Sequence, residues 1–187
     1  LYCYARAQVG VQHWQEAYDL FAEYARRVPN FAPAYYALGW LDLKLSRGEQ
    51  ARRQFERCLA LSPEYPEPRY ELGQIYLNDG KLEQAENELG KVLKLAPLHA
   101  RANLAYGDLM VRKGNLAEAE THYRKAISAE PGSGAAHYKL STVLLRLNRK
   151  EEAEAERAVG LQLNEEATRS SKTELQLASP DGKLMDA

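Results

Sequence analysis

Apolar residues along this chain recur at helical spacing, and they come in paired runs. One run extends from about Ala34 to Leu45 and the next from about Ala51 to Leu61, with Arg47-Gly48 breaking the pattern between them. The same pair of runs returns around Asp79-Gly80 and again around Lys113-Gly114. The pattern predicts first helices near residues 1–10, 34–46, 67–78, 101–112 and 135–147, and second helices near 15–28, 49–61, 83–95, 117–129 and 151–163. Short breaks between long runs make each pair a hairpin.

The pairs repeat with a fixed step. Prolines stand at Pro29, Pro63, Pro97 and Pro131, each 34 residues after the last. Alanines keep the same step at Ala17, Ala51, Ala85, Ala119 and Ala153. A small residue recurs at Ala5, Gly39, Gly73, Gly107 and Ser141, preceded each time by a large apolar one at Tyr4, Leu38, Leu72, Tyr106 and Leu140. A bulky series runs Phe21, Phe55, Leu89 and Tyr123 until Arg157 breaks it. The proline lacks an amide donor and disfavours helical geometry in the residue before it, so it stops each second helix. Glycine inside a helix costs roughly 1 kcal/mol relative to alanine. A recurring cost of that kind requires a recurring cause, and close approach of a neighbouring helix supplies one.

The period, the Leu38-Gly39 and Leu72-Gly73 pairs, the Ala51…Phe55 spacing and the helix-ending Pro63 resemble the tetratricopeptide-repeat family over roughly residues 1–167. The resemblance implies an all-α, right-handed superhelical solenoid of antiparallel helix pairs, with units 1–31, 32–65, 66–99, 100–133 and 134–167. Departures fall at both ends. The first unit begins about three residues inside its first helix, and Tyr24 stands where a small residue is usual. The fifth unit has Arg157 in place of an aromatic or leucine and Glu165 in place of the proline. Residues 168–187 read as a short non-helical tail: Leu175 and Leu177 alternate with polar neighbours, Ser179-Pro180-Asp181-Gly182 is a turn signal, and Leu184 and Met185 follow. A β-hairpin fits that pattern.

Residues 34 apart form ladders along such a stack. One reads Tyr2, Tyr36, Tyr70, Leu104 and Tyr138, the next Arg6, Trp40, Gln74, Asp108 and Thr142, and the third Val9, Leu43, Leu77, Val111 and Leu145. The resemblance implies that these ladders line a concave groove that holds partner segments, with polar contributions from Arg6, Lys44, Gln74, Asn78, Asp108, Arg112 and Arg146. Tyrosine and tryptophan suit that task, because they bury large area and keep a polar tip. The tyrosines have an alternative role as filler between adjacent first helices. Family members that grip a chaperone's C-terminal carboxylate carry lysine and asparagine where this chain has Tyr36, Trp40, Tyr70 and Gln74, so that subtype is excluded.

Composition changes the picture little. The 25 basic residues against 26 acidic ones give a net charge of −1, which argues against a nucleic-acid partner. No apolar run is long enough to enter a membrane. Cys3 and Cys58 have no metal-site spacing and read as packing residues. Glu118 and His122 lie one helical turn apart, short of a metal site without further ligands. Acidic runs such as Glu151-Glu152-Ala153-Glu154 read as intrahelical pairs with Lys150 and Arg157. No phosphate loop or catalytic constellation is present, and no metal or cofactor is expected. The chain begins with Leu1 rather than methionine, so a leader removed upstream is compatible with it and no compartment is assigned. Two functions remain: a scaffold that binds another protein's segment in the groove, and a self-assembling element that joins copies through its ends, with Leu175, Leu177, Leu184 and Met185 as the assembly tail.

Overall fold

Two recurring positions decide where eight of the nine described helices stop. The computed structural model describes residues 13–178 together with 5, 8 and 9, the side chains as far as residue 170. The second helices α1 (Trp14–Arg27), α3 (Gly48–Leu61), α5 (Leu82–Leu95) and α7 (Leu116–Ala129) each end two residues before a proline of the periodic series. The residue in front of that proline has left the helical region, with φ of −131° at Val28, −140° at Ser62, −137° at Ala96 and −138° at Glu130. The first helices α2 (Ala32–Lys44), α4 (Pro66–Asn78), α6 (Ala100–Arg112) and α8 (Gly134–Arg146) end instead just before a residue with positive φ.

That residue is Ser46 at 59°, Gly80 at 75°, Gly114 at 80° and Asn148 at 61°. The break expected at Arg47-Gly48 therefore sits earlier: Gly48 opens α3, and Ser46 makes the left-handed turn. Serine has a Cβ that crowds this conformation, whereas glycine has none. Ser46→Gly is expected to raise stability by about 0.5–1 kcal/mol. A thermal melt checks this, and an unchanged midpoint would show that the turn is unstrained.

The chain divides into two compact units, residues 1–97 and 98–187. In the first, α2 pairs with α3 and α4 with α5, while α1 packs on α2 and α3 on α4. In the second, α6 pairs with α7, α8 pairs with the last helix, and α7 packs on α8. Small residues let the paired helices approach. A Cβ on Gly39 would lie 2.6 Å from the Phe55 ring, one on Gly73 2.7 Å from Leu89 Cγ, and one on Gly107 2.5 Å from Tyr123 Cδ1. Each glycine thus faces the bulky residue sixteen positions on, which is the cause its helical cost required.

The fifth pair departs from this scheme. Ser141 replaces the glycine, is buried, and donates its hydroxyl to the Tyr138 carbonyl at 2.7 Å; Arg157 is exposed. Close approach moves to the start of α8, where a Cβ on Gly160 would stand 3.0 Å from the Gly134 carbonyl oxygen. The last helix, α9, runs Lys150–Ala178, 29 residues without a stop. This corrects the expected tail, because residues 168–178 are helical and the predicted strand at Thr173–Ala178 is not formed. Glu165 stands where proline ends the other second helices, and nothing between it and Ala178 lacks an amide or breaks a helix. The rest of that expected hairpin, including Leu184 and Met185, lies outside the described residues, and so do the side chains of Leu175 and Leu177.

A candidate partner-binding surface

Helix α2 places Tyr36, Trp40, Leu43 and Lys44 at the spacing that puts them on one face. All but Lys44 are half-buried, so each is held from behind and open in front. Tyr36 and Leu43 rest on a core of Ala51, Phe55 and Leu72. The Tyr36 ring is 5.5 Å from that of Tyr65 and 6.0 Å from that of Phe55. Trp40 meets Trp14 of α1 edge to face at 5.5 Å, and the Lys44 ammonium lies 4.9 Å from the centre of the Trp40 ring. The result is a row of rigid aromatic surfaces beside an exposed cation.

Other residues of the predicted groove are placed differently. On α4, Tyr70 is buried, Gln74 donates to its hydroxyl at 2.7 Å, and Asn78 is exposed. In the second unit, Asp108 is held within the fold: it accepts from the Tyr123 hydroxyl at 2.7 Å and from Lys139 Nζ at 2.8 Å, joining α6, α7 and α8. Burial, with Asp108 beside it, pushes the Tyr123 phenol far up. Arg112, Tyr138 and Arg146 are exposed. Tyr2 and Arg6 lie outside the described residues.

Trp14 was not predicted as part of this surface. It opens its helix, and the same slot holds Gly48, Leu82, Leu116 and Lys150 in later units, so periodicity carries no signal for it. The signal available was compositional, since Trp14 and Trp40 are the only two tryptophans in the chain.

A second missed feature is a polar latch that repeats with the period. Arg69 Nη1 donates to Glu88 at 3.0 Å, His122 Nδ1 meets Asn103 Oδ1 at 2.9 Å, and His137 Nδ1 meets Glu156 at 2.6 Å. Each joins a first helix to its second across nineteen residues. The same first-helix slot also reaches the preceding proline carbonyl, through the Tyr35 hydroxyl to Pro29, Arg69 to Pro63 and His137 to Pro131. Its residues are Tyr, Arg, Asn and His, so no sequence series exposes it.

Among the described residues, the titratable groups do not assemble a reactive centre. Burial, then Lys125, pulls His122 down to about 4, so the ring is neutral at pH 7. Asn103 Nδ2 donates to the His99 carbonyl, so its Oδ1 accepts from His122 Nδ1–H. Glu118 accepts from Asn115 at 2.7 Å. Among the described residues, no group of three or more His, Cys, Asp or Glu side chains is placed to hold a metal ion. Burial pushes the Cys58 thiol up to about 11, which leaves it protonated and unreactive. The acidic start of α9 pairs differently from expectation: Glu152 binds Arg149 at 2.6 Å and Arg124 at 3.5 Å, in place of Lys150 and Arg157. No described helix is long and apolar enough to cross a membrane.

Helical hairpins recurring on a short period define an all-α helical-repeat protein. The chain belongs to the tetratricopeptide-repeat family, whose models match residues 36–90, 70–133 and 110–164. Proteins of this fold generally mediate protein–protein interactions. No curated protein matches the chain in sequence. Among solved structures it is similar to MamA from Desulfovibrio magneticus RS-1, at 22% identity and a TM-score of 0.75 over 87% of this chain and 92% of that one. It is also similar to PilF from Pseudomonas aeruginosa, at 14% identity and a TM-score of 0.79 over 86% and 73% of the two chains. A third is YrrB, described as a TPR protein with an unusual peptide-binding site, at 19% identity and a TM-score of 0.68 over 91% and 90%. At these identities the likeness is one of fold.

Proposed function

We propose that this chain captures a segment of another protein on the face of α2, with Trp40 as the anchor and Lys44 as the polar selector. The observation that carries this reading is the Trp14–Trp40 pair with the Lys44 ammonium over it. A half-buried tryptophan loses little conformational freedom when a ligand covers it, and residues of this type dominate binding energies at interfaces. An extended or proline-rich segment suits the row from Tyr36 to Trp40, and an acidic residue in it would face Lys44. The fold's likeness to YrrB, a protein described by its peptide-binding site, points the same way.

Peptides selected on the wild-type chain from a random display library test the proposal. They are expected to be rich in aromatic residues or proline and to carry an acidic residue. Trp40→Ala should weaken them at least about tenfold, and Lys44→Glu should do so for the acidic ones. Far-UV circular dichroism checks that both variants fold. Selected peptides that bind a folded Trp40→Ala chain as well as wild type would sink the reading.

A further inference from the structure

A pocket of about 170 Å³ lies where the loop after α3 meets the first turn of α4 and the last turn of α5, all within the first unit. Its walls are Pro63, Glu64, Arg69, Lys91, Lys94 and Leu95. The proline recurs with the period, but the three bases do not. Their slots hold Tyr35, Arg57 and Ala60 one period earlier and Asn103, Lys125 and Ser128 one period later. In the next period they hold His137, Val159 and Gln162. Packing of hairpins therefore does not require three bases around this pocket.

Two of the bases are partly engaged within the fold. Arg69 donates through Nε and Nη2 to the Pro63 carbonyl at 3.1 and 2.7 Å, and through Nη1 to Glu88 at 3.0 Å. Lys91 Nζ donates to the other Glu88 oxygen at 2.7 Å. One carboxylate thus serves two cations, and a positive charge is left over. Lys94, one turn beyond Lys91, is exposed and has no ion-pair partner among the described residues. Glu64, exposed on the loop, has none there either. The pocket keeps a net positive charge.

Charge, size and lining together define what fits. The bases favour an anion, and Glu64 opposes a doubly charged one, so a carboxylate suits the pocket better than a phosphate. Pockets that enclose whole small molecules run to about 300–1,000 Å³. This one has room for a single side chain. Pro63 and Leu95, the latter 45% exposed, offer apolar surface to the stem of such a side chain. We propose that the pocket takes one glutamate or aspartate side chain from a segment of another protein, with its carboxylate on Lys94 and Lys91 and its stem on Pro63 and Leu95. The site shares no residue with the α2 surface, and the inference does not rest on that reading.

Peptides selected from a random display library on the full chain carrying Trp40→Ala test it, because that change weakens capture on α2. They are expected to carry an acidic residue beside an apolar one. Adding Lys94→Glu should weaken them at least about tenfold, and so should glutamine in place of the peptide's acid. Arg53→Glu makes the same charge change at an exposed base on α3 and should alter affinity by less than about twofold. Far-UV circular dichroism checks folding, and Lys44→Glu replaces Trp40→Ala if that chain does not fold. A selection without acidic peptides would overturn the proposal. So would peptides that bind the Lys94→Glu chain as tightly as its parent, which would leave Lys94 a role only at the end of α5. Displacement of the peptides by inorganic phosphate at lower concentration than by acetate would overturn the carboxylate assignment.

Discussion

A Gly107→Ala chain is expected to lose about 1–3 kcal/mol of stability, although alanine is the better helix former by about 1 kcal/mol. The new methyl would stand 2.5 Å from Cδ1 of Tyr123 and within 3.0 Å of two further ring atoms. The ring has little room to yield, because Tyr123 is only 2% exposed and its hydroxyl is held by Asp108. Tyr123→Ala alone should cost about 3–5 kcal/mol, the usual range for deleting a buried aromatic ring. Combined, the two changes should not add. With the ring gone, Gly107→Ala meets open space and is expected to be neutral or to stabilise by up to about 1 kcal/mol. Urea titration of the four chains gives the coupling. Additive losses would mean that the glycine does not serve to admit the ring.

The opposite sign is expected at Asp42. It is fully buried on α2, and neither carboxylate oxygen has a hydrogen-bond partner. The nearest cation, Arg47, stays 3.9 Å away, because its guanidinium lies over the Tyr18 ring and donates to Gln15 at 2.9 Å. The same slot holds Tyr76, Met110 and Leu144 in the following units, so the fold accepts an apolar residue there. Asp42→Leu should raise stability by about 1–3 kcal/mol at pH 7. Burial raises the Asp42 carboxyl above its ordinary range, with Arg47 only partly opposing it. A raised acid binds its proton more tightly in the folded chain, so its contribution is most favourable below the ordinary carboxylate range and is lost as pH rises through the folded value. The advantage of Asp42→Leu should therefore shrink as pH falls. An advantage that is absent, or independent of pH, would show that the charge is compensated in the fold.

Much of this architecture was legible because its causes are local. Proline stops a helix wherever it stands, so the ends of α1, α3, α5 and α7 followed from Pro29, Pro63, Pro97 and Pro131. The mid-helix glycines pointed to a close neighbour, and Phe55, Leu89 and Tyr123 are those neighbours. The end of the chain was harder to read. Glu165 marks a missing proline, and the alternation at Leu175 and Leu177 reads as strand, but with no breaker before Ala178 the helix simply continues. The aromatic face was legible only in part. Trp40 stood out as a residue, whereas its partner Trp14 depends on how α1 crosses α2, which no spacing encodes. Tyr70 and Asp108 belong to the predicted ladders, but their hydroxyl and carboxylate are engaged by Gln74, Tyr123 and Lys139, contacts that arise only on packing.

The polar latch between paired helices makes the hairpins chemically unequal. Arg69 and Glu88 form an ion pair, so the hold between α4 and α5 carries a salt-dependent part, kept small because the two side chains are only 17% and 12% exposed. Asn103 and the neutral His122 form an uncharged bond, so salt leaves the hold between α6 and α7 nearly untouched. In a stack whose stability is a sum of hairpins and their junctions, such differences set the order in which the pieces let go. Two chains with the same helices and the same period would then unravel from different places, each following its own solvent.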